Sequence, residues 1–543
     1  MNAKGLKELA DNVFGKRSSL LSLWQEQAEN FYPERADFTV KRYLGEEFAG
    51  NLSTSYPILA RRDFGDQVGQ MLRPTQKQWF HMGLLDTRRE NNEAKRWLEW
   101  SSGTMFRAMY DPHALFDRAE KEGDHDFSCF GQDVISVRLN RNRDGLLYRC
   151  WHLRDVAWVE DDEGKVCPIF RKWNPTAQTL VRLAKLAGTF KIDPKIEEMN
   201  RKTPFEEVEC MHMIVQADMY DDETRFPYWS IYYDCMHDTL IEAVPTWNKE
   251  YSVERWQTVS GSQYAYSPAT VAALPDARLL QAITYTLLEA GEKAANPPMV
   301  ATQEAVRSDI DIRAGGTTWV DYEYDERLGD ALRPITIDTK GLPIGLEMAQ
   351  DLRRMLGQAF YLNKLRPFLP TEDKEMTAFQ AGQIVAQYIR DALPLFAPME
   401  TNRNAQICEL TFDVLMRAGT FGSPQDMPPS LDNADTQFRF SSPLHDLIEA
   451  QKAQKFLEAH ALVAQGMAMD KTSVALIDWK GALRDALDGK QTPAKWIRSE
   501  IQVREMEDAQ RQQEETAALL ANMQAGANVA ETVGKAAGEM VPA

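Results

Sequence analysis

Apolar residues recur every three to four positions along much of the chain, a spacing that predicts helices. Residues 3–31 read as one or two amphipathic helices. Another helix is predicted over 53–73, where Ala60, Phe64, Val68 and Leu72 share a face and Pro74 lies just beyond. Helices over 91–110 and 112–128 follow, the second with Asp111 as N-cap and Pro112 at its first position. After Gly131 the pattern changes. The short runs 134–138, 146–153, 156–160 and 166–173 are rich in branched and aromatic residues, and the polar stretch 161–165 between the last two reads as a hairpin turn. More strands are expected to about residue 266, interrupted by a helix near 176–187.

Helical spacing then returns. Pro275 is expected to open a helix carrying Ala277, Leu280, Ile283, Leu287 and Leu288, stopped by Asn296-Pro297-Pro298. Pro343 is expected to open a second, with Leu346, Ala349, Leu352, Leu356, Ala359 and Phe360 on its stripe. Between them, 299–340 reads as a small α/β unit with strands near 317–324 and 334–338. Residues 366–376 read as a loop. Thr377-Ala378-Phe379-Gln380 is a capping box, opening a helical pattern to about Arg417 that Pro394 and Pro398 must kink and Gly419 ends. A proline-rich linker over 422–435, a short strand at 438–440 and helices near 443–465, 473–487 and 493–520 complete the chain. The Ala- and Gly-rich tail from 525 is expected to fray. The fold class is α+β, predominantly helical.

Composition narrows the function. The chain has 543 residues and suggests three to four domains. With 43% apolar and 26% charged residues it has the makings of a sizeable core. A formal charge of −19 disfavours static gripping of nucleic acid, which needs Lys and Arg against phosphates. No run approaches the length of a membrane span, and the first twelve residues lack the apolar stretch of a secretory leader. Six cysteines without a CxxC are expected to be reduced and mostly buried. Cys210-Met211-His212 recurs as Cys235-Met236-His237. Each Cys and His would share a strand face, but the spacing fits no zinc-finger pattern and two strands burying small groups explain it better.

No motif of reactive groups stands out in the sequence. Gly15-Lys16-Arg17-Ser18 ends like a phosphate loop, but Ala10 stands where the first glycine is required. Asp161-Asp162-Glu163 lacks the outer Glu of a calcium loop. Asp309-Ile310-Asp311 presents the same pattern as a half-exposed strand edge, and no G-x-S-x-G, H-E-x-x-H or G-x-G-x-x-G occurs. No catalytic residue, metal or cofactor is expected. Basic and aromatic residues between Arg61 and Trp100 alternate with acids at helical spacing and read as surface and core before nucleic-acid contact.

The order of elements, with four local stretches, resembles the portal (head-to-tail connector) proteins of short-tailed bacteriophages. Residues 55–82 (SYPILARRDFGDQVGQMLRPTQKQWFHM) resemble that family's helix and Pro-x4-Trp-Phe turn, although Thr75 stands where a second proline is expected. Residues 292–300 (EKAANPPMV) resemble the end of its first stem helix, Glu375-Met376-Thr377-Ala378 the start of its long wing helix, and Ser441-Ser442-Pro443-Leu444 the entry to its crown. The resemblance implies a ring-forming portal fold. In it 1–273 would be wing, 274–296 and 341–365 the stem, and 297–340 the clip. A channel loop over 366–376, further wing over 377–442, a helical crown over 443–520 and a flexible tail over 521–543 would follow.

It also implies a ring, usually of twelve copies, at one capsid vertex of the virion, assembled in the host cytoplasm. Its partners would be double-stranded DNA, major capsid and scaffolding proteins, the terminase motor, tail adaptor and tail proteins and internal core proteins, with no membrane. Twelve copies of −19 would carry −228, and an acidic bore lets a duplex slide. Candidate channel residues are Arg353, Arg354, Lys364, Arg366, Phe368, Leu369, Glu372, Asp373 and Lys374. The basic ones fit spaced phosphate contacts or ion pairs with a neighbouring subunit equally well. Asp321, Glu323, Asp325 and Glu326 form an acidic patch that fits a motor- and tail-facing clip surface or a solvated strand face. The competing expectation is a multidomain hydrolase with β-rich substrate-binding and helical accessory domains, which requires titratable groups converging in a pocket.

Overall fold

The computed structural model describes residues 1–365 and 399–441, apart from 44, 48, 76, 87–90, 424–425, 433 and all of 302–340 except 306, 319, 327 and 332–335. Beyond 441 it describes 456–463, 477–489, 502–518 and a few single residues.

The chain opens with helices α1 (Ala3–Gly15), α2 (Ser18–Phe31) and α3 (Tyr56–Leu72), then strand β1 (Phe80–Leu84), α4 (Asn92–Met109) and α5 (Phe116–Phe130). Strands β2 (Gln132–Leu139), β3 (Leu146–Cys150), β4 (Val156–Glu160) and β5 (Val166–Trp173) precede α6 (Ala177–Ala187) and α7 (Pro194–Lys202). Next come β6 (Cys210–Gln216), the single turn α8 (Ala217–Tyr220), β7 (Tyr228–Asp234), β8 (Thr239–Thr246) and β9 (Tyr251–Arg255). The short pair β10 (Gln257–Thr258) and β11 (Ala265–Tyr266) leads into α9 (Pro268–Ala295). Strands β12 (Met299–Ala301) and β13 (Leu332–Pro334) then lie before α10 (Gly341–Ala359) and the turn α11 (Leu362–Leu365). A π turn over Glu400–Asn404 runs into a helix over Ala405–Arg417. Strand β14 (Thr436–Phe440) and a helix over Trp479–Gly489 are the last named elements.

The chain divides into two units, one of residues 1–77 and 107–418, the other of 78–106 and 419–543. The first holds an antiparallel five-stranded sheet, order β4-β5-β6-β7-β8, and a three-stranded sheet, order β3-β2-β9. Period-two alternation sorts the five-stranded sheet's faces. Met211, Met213 and Val215 point with Phe170, Ile231 and Tyr233 onto Leu6, Ala10 and Val13 of α1. Cys210, on the opposite parity, packs with Leu180, Val181 and Ile196 of α6 and α7. Gly131, between α5 and β2, has φ +76, and a Cβ there would stand 2.2 Å from the Tyr266 carbonyl carbon. In the second unit β1 pairs with β14, Phe80 opposite Phe440. Buried Trp79 stacks on Phe440, and the Met82 N–H donates to Ser102 Oγ at 2.8 Å.

Several expectations need correction. Asp111 does not cap a helix at 112: its carboxylate accepts from the His113 N–H (2.8 Å), closing a turn, and α5 begins after left-handed Leu115. Pro275 lies inside α9, not at its start. Ser267 Oγ accepts from the Thr270 N–H and Pro268 takes the first position. The carbonyl that Pro275 cannot serve belongs to exposed Val271, where water can reach it. Helix α7 was not expected, although Asp193-Pro194 is a cap-and-first-residue signature and Asp193 Oδ1 accepts from Lys195 N–H at 2.9 Å. Of the apolar stripe read on α10, Ala349, Leu352, Leu356 and Phe360 are buried and Leu346 is exposed. Cys235-Met236-His237 is a turn beyond β7, held by Asp234 Oδ1 accepting from the Met236 and His237 N–H groups.

Candidate functional site

Helices α9 and α10 form a hairpin within the first unit. A 28-residue helix reaches about 42 Å and a 19-residue one about 28 Å. Near the turn, Gly345 lets α10 close onto Leu287, whose Cδ2 would lie 2.8 Å from any Cβ there. At the other end the hairpin is fastened to the body. Ser267 Oγ donates to the Ser128 carbonyl (2.8 Å) and Thr270 Oγ1 to that of Cys129 (2.7 Å). Gln281 Oε1 accepts from Ser53 and Thr54 N–H while its amide donates to the Thr54 carbonyl, clamping the loop before α3. Arg278 Nε donates to Glu26 at 2.6 Å. Ala349, Leu352 and Leu356 are buried, and Phe360 packs edge-on against Phe31, ring centres 5.4 Å apart.

Both helices of the hairpin also leave apolar side chains uncovered, beside exposed polar ones such as Glu347, Asp351 and Arg354. Val271, Leu279, Tyr285 and Leu288 of α9 and Ile344, Leu346, Met348 and Met355 of α10 are all exposed. Ile344, Met348 and Met355 recur at helical spacing on one face. A soluble protein seldom leaves such a surface to water unless something else covers it.

Of the expected channel residues, Arg353 and Arg354 lie exposed on α10, and Arg354 pairs with Asp351 one turn earlier. Lys364 follows in α11 with its ammonium 5.8 Å from the Tyr361 ring centre. Arg366, Phe368, Leu369, Glu372, Asp373 and Lys374, and the acidic Asp321, Glu323, Asp325 and Glu326, lie outside the described residues, as do Asp309-Ile310-Asp311 and the capping box at 377–380.

Other polar groupings are structural. Arg17 is buried, donating to the carbonyls of Leu153, Arg154 and Val156 (2.6–3.0 Å). Arg61 donates to the Phe31 carbonyl and lies 3.9 Å over the Tyr32 ring, so it does not face a polyanion. Asp161 Oδ1 accepts from Glu163 and Lys165 N–H, completing the hairpin turn. Ser230 Oγ and His212 Nε2 lie 2.9 Å apart, a nucleophile–base spacing. However, both residues are buried, and His212 Nδ1 meets the Tyr251 hydroxyl (2.5 Å) where a carboxylate would orient a base. Burial, with Arg171 and Arg138 nearby, holds that imidazole well below its ordinary pKa and neutral. His212 also stacks on Tyr232 at 4.1 Å, while His237 Nδ1 bonds to Asp234 at 2.7 Å. Among the described residues no group of three or more His, Cys, Asp or Glu could hold a metal ion, and no helix is long and apolar enough to cross a membrane.

The sequence matches the family described as bacteriophage head to tail connecting protein over residues 3–498. No curated protein matches it.

Proposed function

The chain belongs to the bacteriophage head-to-tail connecting proteins, and from that premise we propose that its copies close into a ring of twelve around a bore for double-stranded DNA. As a portal protein of that family it is a structural virion component that assembles with itself and meets capsid and tail proteins. In the proposed ring, at one capsid vertex, DNA enters during packaging and leaves at ejection into a short tail. Residues 274–296 and 341–365, which take in most of the α9–α10 hairpin, are the stem and 297–340 the clip, with Asp321, Glu323, Asp325 and Glu326 turned toward the terminase and then the tail adaptor. Residues 366–376 form the channel loop, 1–273 and 377–442 the wing, and 443–520 the crown. Arg353, Arg354, Lys364 and Arg366 make weak, spaced contacts with passing phosphates, while the acidic balance of the chain keeps the duplex sliding. Scaffolding and internal core proteins contact the ring during assembly in the host cytoplasm.

The observation that supports this reading best is the family match across nearly the whole chain, and the exposed row Ile344, Met348 and Met355 of the hairpin supplies an apolar contact for a neighbouring copy. The test is particle mass together with an axial image. A hollow ring near twelve times 61.9 kDa, about 743 kDa, is expected. A stable monomer or a solid particle would overturn the reading. Deleting 367–375 is expected to leave ring assembly intact while lowering packaged or retained DNA. Loss of assembly in that deletion would remove the channel-loop assignment.

A further inference from the structure

Four carboxylates and two guanidinium groups meet inside the first unit, each side chain less than 9% exposed. Arg73, at the end of α3, pairs with Asp124, lies 3.1 Å from Glu120 and donates to Asn404 Oδ1 at 2.8 Å. Arg403, on the π turn, pairs with Asp124 and Glu254, and approaches Asp133 at 2.9 Å and Glu120 at 3.4 Å. The six therefore join α3, α5, β2, β9 and the turn. Asn404 holds the same turn from the Arg73 side.

Charge arithmetic sets the problem. Fully ionised, the cluster would carry two uncompensated negative charges in the protein interior, where one unpaired carboxylate costs several kcal/mol. The further titratable groups facing it are Asp117 and His125 from α5, Tyr148 and Cys150 from β3 and Cys408 from the helix after the turn; of these only His125, beside Asp124, can carry a positive charge, and burial with the Arg61 charge holds its pKa below the ordinary value. We propose that this cluster is a proton-loaded latch: Asp133 and Glu254 carry protons when the 400–404 turn is held against α3, α5, β2 and β9, and the hold loosens as those protons leave.

The electrostatics agree. Burial pushes the Asp133 carboxyl up to about 7 against the pull of Arg403. Burial, then the Asp133 charge, push Glu254 well above the carboxylate range. Burial also opposes ionisation of Asp124, but the two arginines outweigh it and hold that carboxyl below its ordinary value. A raised acid stabilises the fold fully below its unfolded pKa, near 4, and loses that contribution as pH rises through the folded value. For Asp133 the loss therefore runs from about 4 to about 7. Asp124 behaves oppositely, its contribution disappearing as pH falls through its lowered value. The latch is thus tightest in mildly acidic solution, whether or not the chain is in a ring.

The test uses the full chain, with thermal unfolding and limited proteolysis between about pH 5 and about pH 8.5. The unaltered protein is expected to lose several degrees of melting temperature across that range, and to be cleaved several-fold faster near 400–404 at the alkaline end. The double variant Asp133→Asn with Glu254→Gln, which imitates the protonated pair, is expected to fold and to lose most of that pH slope in both readouts. Arg403→Met is expected to melt lower at every pH or fail to fold. A double variant that fails to fold, melts as low as Arg403→Met at about pH 5, or keeps the full slope would overturn the proposal.

Discussion

Leu279→Glu combined with Met348→Glu is expected to yield a folded 62 kDa monomer in place of the proposed ring. Both side chains are nearly half exposed in the subunit, at 46% and 48%, so a carboxylate at either position keeps its water in the isolated chain. Surface changes of this kind usually alter stability by no more than about 0.5 kcal/mol. Between subunits the same two groups would be buried unpaired, at a cost of a few kcal/mol each. A closed ring repeats that cost at every boundary, so assembly collapses instead of weakening gradually. Light scattering with circular dichroism separates the outcomes. A folded monomer supports the hairpin as a contact face; an intact ring of about 743 kDa shows that the subunits meet elsewhere.

The second large effect is expected at Gly131. Valine there must adopt a left-handed backbone, costing about 1–2 kcal/mol, and its Cβ would collide with the Tyr266 carbonyl carbon at 2.2 Å. The obstacle is main chain, so no rotamer change relieves it. Moving it would disturb the Trp256 N–H bond to the Gly131 carbonyl and the Ser267 cap of α9. Gly131→Val is expected to lose more than about 4 kcal/mol and to accumulate insoluble, with Gly131→Ala milder because its backbone penalty is smaller. Urea midpoints check this, and a valine variant within about 1 kcal/mol of the parent would show that the β11–α9 junction can shift.

Much of the fold was legible because single helices and hairpins advertise themselves over a few residues. The Ala60, Phe64, Val68, Leu72 spacing marked α3, and Asp161 to Lys165 marked the β4–β5 turn. The misreadings share a cause. Asp111-Pro112 and Pro275 carry helix-start chemistry, but a carboxylate can close a turn as readily as cap a helix, and a proline is tolerated inside a helix whose freed carbonyl meets solvent. Exposure was the harder quantity. Leu346 and Leu288 have the periodicity of core residues, yet periodicity does not say whether the covering surface belongs to the same chain. The carboxylate–arginine cluster was illegible for another reason: Arg73 and Arg403 are hundreds of residues apart, and each alone reads as a solvated charge.

The pairing of β1 with β14 also has a consequence for biosynthesis. Strand partners roughly 350 residues apart leave the ribosome about 20–70 s apart at ordinary elongation rates. During that interval Phe80, Met82 and the stacking face of Trp79 have no partner strand, an open edge of the sort that recruits other chains. Yield of this protein should therefore respond to translation speed and to holding chaperones more than its finished stability would suggest.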